Sequence, residues 1–196
     1  TSMHDSSQNG RSTLFLRREV DVSPGDYATL RILTSKESHE LAEVNLSDMS
    51  FVKNTTVAEI GRHCSKVVKL GLARLSELNA VTLSFVASKT PLMREIDLSG
   101  NPHLEQKHTA EAMANWRLFR ALKVSFCPNL FKDSLFLTKV LQTCRCLVDL
   151  DAERCEIGDF CMKEALEACE GTVLLTKLNL SGNLELGDSA FSALAR

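Results

Sequence analysis

The stretch CRCLVDLDAERC, from Cys144 to Cys155, brings together side chains that could do chemistry. The thiols of Cys144, Cys146 and Cys155 stand in a C-x-C-x8-C arrangement beside the carboxylates of Asp149 and Asp151. Thiolates and carboxylates can hold a metal ion, and paired thiols can exchange electrons. A structural zinc site usually draws its ligands from two closely spaced pairs, and here there is only one. The choice between metal binding, redox chemistry and packing therefore depends on the elements that carry the thiols.

Those elements belong to an internal repeat. A nine-residue phrase based on the template L-x-x-L-x-L-x-x-N/C, with Asn or Cys at the ninth position in four of its copies, occurs six times at intervals of 26, 26, 26, 28 and 28 residues. The copies are LAEVNLSDM, VVKLGLARL, MREIDLSGN, FRALKVSFC, LVDLDAERC and LTKLNLSGN, which begin at Leu41, Val67, Met93, Phe119, Leu147 and Leu175. Six matches in register predict a solenoid in which each repeat buries its apolar face against its neighbours. We number these repeats 1 to 6 and count positions from the first residue of each phrase.

Each phrase predicts a short strand that is followed by a helix. The apolar residues at the fourth and sixth positions point inward, because side chains alternate along a strand. The Asn or Cys at the ninth position turns the chain away and can bond main-chain groups that would otherwise be unpaired. A Ser, Thr or Asp stands at the start of several helical segments, as an N-cap would. The expected helix starts lie near Thr55, Asp133, Asp159 and Asp188, with further helices over residues 77–88 and 109–117.

The repeat spacing divides the chain into three parts. Residues 1–12 are polar and predict a disordered tail. Residues 13–40 predict a strand and a helix that form an N-terminal cap or a degenerate repeat. In this helix Ser23 would be the N-cap, Pro24 the first helical residue and Asp26 a favourable charge at the N-terminus. Residues 41–196 hold the six repeats, and the last is incomplete, so we expect the chain to be part of a longer solenoid.

The repeat assigns the thiols to packing. Cys127 and Cys155 occupy ninth positions, where Asn101 and Asn183 stand in other repeats. The other thiols precede strands or lie in or beside structured segments, where Cys acts as a compact apolar residue. They are Cys64, Cys144, Cys146, Cys161 and Cys169. We therefore expect packed free thiols, no metal and no cofactor, in a reducing compartment such as the cytoplasm, with nuclear or cytoskeletal locations as alternatives.

At these residues the chain resembles the leucine-rich repeat superfamily. Repeat 5 is similar to the cysteine-containing subclass, best known in F-box substrate receptors of ubiquitin ligases, and repeat 6 to the ribonuclease-inhibitor-like subclass. The matching positions of repeat 5 are Leu147, Leu150, Cys155, Ile157, Asp159, Leu166 and Cys169. The resemblance covers about four-fifths of the chain and implies an α/β horseshoe segment with parallel strands on the concave face and helices on the convex face. Residues 1–40 lack the Leu-Pro phrase with which an F-box opens.

The solvent-facing positions of the strands predict where a partner would bind. By alternation, the third, fifth and seventh positions of each phrase point away from the core. Repeats 3 and 5 gather acidic residues at these positions, with one lysine between them. The candidate partner-binding residues are Glu95, Asp97, Lys123, Asp149, Asp151 and Glu153. We expect a protein or peptide of basic character, and the alternative is that these charges only keep the sheet surface soluble.

Composition and motifs argue against other classes of function. A net charge of −2 is not that of a dedicated nucleic-acid binder, and no apolar run approaches the ~18 residues of a membrane span. The chain has no phosphate-binding loop and no G-x-S-x-G motif, so we expect neither an enzyme nor a small-molecule substrate. The predicted function is a protein–protein interaction scaffold or receptor module. The alternatives are the substrate-recognition arm of an F-box ubiquitin ligase and, by analogy of fold, a regulator of a small GTPase.

Overall fold

A computed structural model describes residues 12–15, 25–169 and 174–194. The predicted tail up to residue 11 and the predicted cap residues Ser23 and Pro24 lie outside these ranges. Within them, seven strands form one parallel sheet in which spatial order follows chain order. The strands are β1 (Ser12–Phe15), β2 (Leu41–Asn45), β3 (Lys69–Gly71), β4 (Glu95–Asp97), β5 (Ala121–Lys123), β6 (Asp149–Asp151) and β7 (Lys177–Asn179). The sheet is open, and the fold is the leucine-rich-repeat solenoid that the phrase predicts.

Among the described residues, one α-helix lies between each strand and the next, and a seventh helix follows β7. The helices are α1 (Gly25–Leu33), α2 (Asn54–His63), α3 (Ala80–Lys89), α4 (Gln106–Met113), α5 (Leu135–Thr143), α6 (Asp159–Glu167) and α7 (Asp188–Leu194). The predicted range of α4, 109–117, is wrong at both ends. The chain leaves this helix early and buries Trp116, whose indole N–H donates to Thr90 Oγ1 at 3.3 Å.

The core lies between the strands and the helices and runs without a break along the stack. Strand pairing places the fourth positions of successive repeats side by side, as in Val44 against Leu70 and Leu70 against Ile96. Fourth- and sixth-position side chains are buried in repeats 1 to 5, while Leu178 and Leu180 of repeat 6 are half-buried. Each repeat therefore contributes one layer to a shared core, as in other solenoids.

The ninth-position side chains hold neighbouring repeats together, and we call this set the ninth-position ladder. In repeats 3 to 6 each of them donates to the sixth-position carbonyl of the preceding repeat. These bonds are Asn101 Nδ2 to Leu72 O at 2.8 Å, Cys127 Sγ to Leu98 O at 3.4 Å, Cys155 Sγ to Val124 O at 3.0 Å and Asn183 Nδ2 to Ala152 O at 2.9 Å. The asparagines also accept, since Asn101 Oδ1 receives the N–H of Leu75 at 3.0 Å. Asn therefore satisfies a donor and acceptors, whereas Cys serves acceptors alone.

The eighth position adopts the left-handed backbone conformation in all six repeats of the described chain. Its φ angles lie between 51° and 73° at Asp48, Arg74, Gly100, Phe126, Arg154 and Gly182. Only two of these residues are glycine, although glycine is the residue that takes this conformation without cost. A Cβ atom on Gly100 would stand 2.7 Å from Arg74 Cγ, so the arginine of one repeat covers the glycine of the next. The same tight turn therefore precedes the ninth position in every repeat, whether that position is Asn, Cys, Met or Leu.

Helix capping differs from the sequence-based prediction. Among α2 to α6, a side-chain cap from the residue before the helix occurs at α3, where Asn79 accepts the N–H of Thr82 at 3.0 Å. Asp159 lies in the first turn of α6, and its carboxylate instead caps α7 of the next repeat. Its Oδ1 accepts the N–H of Gly187 at 2.5 Å and of Ala190 at 3.3 Å. The hydroxyl of Ser189, which donates to Asp159 Oδ2 at 2.7 Å, and these main-chain N–H groups lower the pKa of Asp159. This cap therefore links two repeats.

Replacement of Asn101 tests the ladder. Asn101→Ala leaves the N–H of Leu75 and the carbonyl of Leu72 unpaired in the core. We therefore expect the free energy of unfolding, measured by urea denaturation, to fall by about 2–4 kcal/mol. Asn101→Cys should cost roughly half as much, because a thiol keeps the bond to the carbonyl. Lys107→Ala is the control, since that lysine is exposed on α4, and its effect should stay within about 0.5 kcal/mol. Equal effects of the three changes would contradict the ladder.

Candidate functional site

The strands line a groove of about 400 Å³ on the concave face. Charged side chains form its walls, and at two places, Gly71 and Ala121, the residue on its floor has a small side chain or none. The side chains that line it include Glu43, Lys69, Glu95, Asp97, Lys123, Asp149 and Lys177. Four of the six predicted partner-binding residues, Glu95, Asp97, Lys123 and Asp149, therefore share one groove. Asp151 and Glu153 lie outside its lining.

Gly71 keeps the groove open next to repeat 1. A Cβ atom at this position would collide with the side-chain oxygen of Asn45 and would stand 2.9 Å from Ser47 Oγ. Asn45 Oδ1 accepts the N–H of Ser47 at 3.0 Å, and Ser47 Oγ accepts the N–H of Ala73 at 3.1 Å. The polar side chains of repeat 1 thus lean over the glycine, which leaves the space beside them free.

Third-position side chains form a column of alternating charge across the groove. Strand pairing sets Glu43 beside Lys69 and Lys69 beside Glu95, and the ammonium of Lys69 lies 3.2 Å from Glu95 Oε2. At the other end of the column, the ammonium of Lys177 lies 3.6 Å from Asp149 Oδ2. These ion pairs are half exposed and contribute little stability, about 0–1 kcal/mol each. They do reduce the acidic character that the sequence predicted for this face.

Ala121 interrupts the alternation. It is the strand partner of Glu95 on one side and of Asp149 on the other. The position between Glu43 and Glu95 holds a cation, Lys69. The position between Glu95 and Asp149 holds an alanine, Ala121. The column therefore has room for one more cation between two carboxylates. The alanine between two acids can be found in the sequence, but only after the third positions of the repeats are aligned as the strands pair them.

The fifth-position column has a different role at each acid. Asp97 Oδ1 accepts the N–H of Ser99 at 3.0 Å and closes a local turn. Asp151 Oδ1 accepts from Ser125 Oγ at 2.8 Å and from Asn179 Nδ2 at 2.9 Å, so it ties three adjacent repeats together. Lys123 is exposed between these two acids in the strand pairing. Asp151 is therefore a structural residue as well as a candidate contact.

The seventh position does not always face solvent, which corrects the prediction for two repeats. Ala73 and Ser125 are buried, with 4% and 7% of their surfaces exposed. Ser125 is drawn in because its hydroxyl bonds Asp151 and accepts the N–H of Glu153 at 3.1 Å. Glu153 itself is half-buried and lies 3.7 Å from the guanidinium of Arg154.

The thiols that opened the sequence question are free, and six of the seven are buried. Burial raises the pKa of Cys64 and Cys155 to about 12 and that of Cys144 and Cys161 to about 11. Cys146 is exposed, so its assignment to packing is wrong. It lies at the solvent-facing tip of the turn that precedes β6. Within the described ranges, no group of three or more His, Cys, Asp and Glu side chains is placed to hold a metal ion.

Comparisons with known proteins support the fold. No protein-family model matches the chain, and neither does any curated protein. A chain of the Rad7–Elc1 complex of yeast is 16% identical over 86% of this chain and 52% of its own, with a TM-score of 0.58. A chain of the Toll–Spatzle complex of Drosophila is 12% identical over 81% of this chain and 19% of its own, with a TM-score of 0.52. The C-terminal domain of tropomodulin from Caenorhabditis elegans is 16% identical, with coverages of 86% and 88% and a TM-score of 0.47.

At such identities these likenesses are of fold. The present chain spans about half the length of the yeast chain that it matches. None of the helices in the described ranges has the length and apolar character needed to cross a membrane.

Thiol reactivity tests the placement of the cysteines. With Ellman's reagent at pH 8 in the absence of denaturant, we expect one thiol to react at the rate of a small-molecule thiol. The other six should react only after unfolding, because they are buried and protonated at that pH. Cys146→Ser should remove the fast phase and leave the slow one. Two or more fast thiols in the folded protein would contradict the structure.

Proposed function

We propose that this chain is a protein-interaction module whose concave groove binds a partner protein through a lysine or arginine of that partner. The observation that carries the proposal is the alanine at position 121, between Glu95 and Asp149. The partner's cation would occupy the place that Lys69 fills one step along the same column.

The geometry of the column suits such a side chain. Two inter-strand steps separate Glu95 from Asp149, which corresponds to about 9.6 Å between their main chains. An ammonium or guanidinium between them would lie within reach of both carboxylates. Each acid already has a lysine on its outer side, so the inner side, beside Ala121, is where a further cation could approach both carboxylates. In a half-exposed site this interaction selects and steers a partner more than it tightens binding.

Several observations support a protein as the partner. Most of the residues that line the groove are polar or charged, whereas small-molecule sites are lined mostly by apolar residues. Two structures similar in fold are complexes, of Rad7 with Elc1 and of Toll with Spatzle. We further propose a reducing compartment such as the cytoplasm, because the thiols are free and six are packed in the core.

Filling the vacant place in the column tests the proposal. Ala121→Lys would supply the missing cation from the chain itself, so we expect the fold to be kept and the partner to be lost. Glu95→Lys with Asp149→Lys should have the same effect on the partner by removing the attraction. Asp151 is left unchanged, because its hydrogen bonds to Ser125 and Asn179 would make its loss hard to interpret.

The measurement is co-purification from the source cells in reducing buffer, read by mass spectrometry. Ala114→Lys, an exposed alanine at the end of α4, is the matched control and should retain the partner. Equal recovery of all proteins with Ala121→Lys and Ala114→Lys would contradict the proposal. Recovery of a cullin and its adaptor with every variant would assign the module to a ubiquitin ligase, and the proteins lost with Ala121→Lys would then be its substrates.

A further inference from the structure

A second surface lies on the edge of the solenoid where each helix leads into the next strand. In every repeat from 2 to 5 a main-chain hydrogen bond closes a turn there, for example from Met93 N to Thr90 O at 3.3 Å and from Phe119 N to Trp116 O at 3.3 Å. The residue before each phrase is the third residue of this turn and points outward. These residues are Lys66, Leu92, Leu118 and Cys146, and Leu174 follows before repeat 6.

This edge changes character along the solenoid. At repeat 2 it is polar, since the ammonium of Lys66 lies 2.7 Å from Glu40 Oε1. From repeat 3 onward it is apolar: Leu92 is 44% exposed and Leu118 45% exposed. We call the row Leu92, Leu118, Cys146 and Leu174 the edge stripe. A turn tip of this kind is normally polar, so nothing in the local fold requires leucine there.

Arginines border the edge stripe. Arg94, Arg117 and Arg120 are exposed, and none of them forms an ion pair with a described residue. Arg94 and Arg120 are the residues immediately before the adjacent strands β4 and β5, and Arg120 N donates to Arg94 O at 2.7 Å. Two like charges held side by side in this way repel each other, and a bound anion would relieve that repulsion.

We propose that the edge stripe and its arginines bind an acidic amphipathic helix of a partner protein. The stripe crosses three inter-strand steps, about 14 Å, which corresponds to roughly three turns of helix. Leucines on one face of such a helix would cover Leu92 and Leu118, and carboxylates beside them would pair with Arg94, Arg117 and Arg120. The groove takes a cation and the edge stripe takes an anionic helix, so the two surfaces are independent.

An anionic membrane would meet the same side chains, but the surroundings favour a helix. The apolar residues form one narrow row rather than a broad patch. The chain has a net charge of −2, and Glu95, Asp97 and Asp149 lie on the neighbouring concave face. A lipid surface would approach these carboxylates within a Debye length of about 8–10 Å, whereas a single helix can avoid them.

A designed peptide tests this inference by fluorescence anisotropy. The probe is a labelled 16-residue helix with leucines on one face and glutamates elsewhere, measured at about 50 mM salt. Leu118→Ser and the double change Arg94→Glu with Arg120→Glu should each weaken binding about tenfold. Higher salt should weaken binding to the unmodified protein as well. Ala121→Lys, in the groove, should leave it unchanged.

Matched controls separate the edge stripe from general surface effects. Leu135→Ser replaces a leucine that is 43% exposed on α5, and Lys107→Glu with Lys139→Glu changes the net charge by the same amount on α4 and α5. Both should bind the peptide like the unmodified protein. A peptide with the same residues in scrambled order, and one with lysine in place of glutamate, should bind at least tenfold more weakly.

Two results would overturn the inference. They are no binding of the acidic peptide, and equal losses with the edge variants and their controls. If the peptide does not bind and vesicles containing phosphatidylserine do, the edge stripe would be assigned to a membrane surface instead.

Discussion

A chain that turns away from a parallel sheet, repeat after repeat, leaves main-chain N–H and C=O groups inside the stack, where water cannot reach them. From repeat 3 onward the ninth-position ladder satisfies these groups, and the stacking of repeats 2 to 6 depends on it. It holds each sixth-position carbonyl of repeats 2 to 5 against the next repeat. The left-handed turn at the eighth position also occurs in repeats 1 and 2, where Met49 and Leu75 stand at the ninth. Because an unpaired buried peptide group costs about 1–3 kcal/mol, a side chain that can donate a hydrogen bond is favoured at the ninth position of repeats 3 to 6.

Register is what turns this stacking into recognition chemistry. Strand pairing aligns the third positions of all repeats, so charged residues that are far apart in the chain come to lie on neighbouring strands, whose main chains are about 4.8 Å apart. The role of one surface residue in binding then depends on the residues at the same position in the repeats before and after it. Ala121 is unremarkable in its own phrase, yet between Glu95 and Asp149 it leaves a place for a cation. The same alignment sets Leu92 beside Leu118 and Arg94 beside Arg120 on the edge.

Strand positions, the inward residues and the role of the ninth position could be predicted from the sequence, because each follows from a periodicity or from one turn. Contacts between repeats could not. Asp159 resembles an N-cap of its own helix, but it caps the helix of the next repeat, and Asp151 resembles a solvent-facing acid although it binds two neighbouring side chains. The end of α4 and the exposure of Cys146 also depend on tertiary packing. For the candidate site, residue types and the face were predictable, while the ion pairs of Lys69 and Lys177 needed the structure.

Each donor bond of the ninth-position ladder runs from a side chain of one repeat to the main chain of its neighbour. The main chain is the same whatever residue stands there, so a repeat does not need to recognise the particular neighbour that it meets. Gene duplication, deletion or exchange of a whole repeat would then rebuild the same ladder bond wherever the incoming repeat brings its own Asn or Cys, and an apolar residue such as Met49 or Leu75 would stack without that bond. Recombination could thus alter the order of the surface columns, and with it the partners, while the stack itself persists.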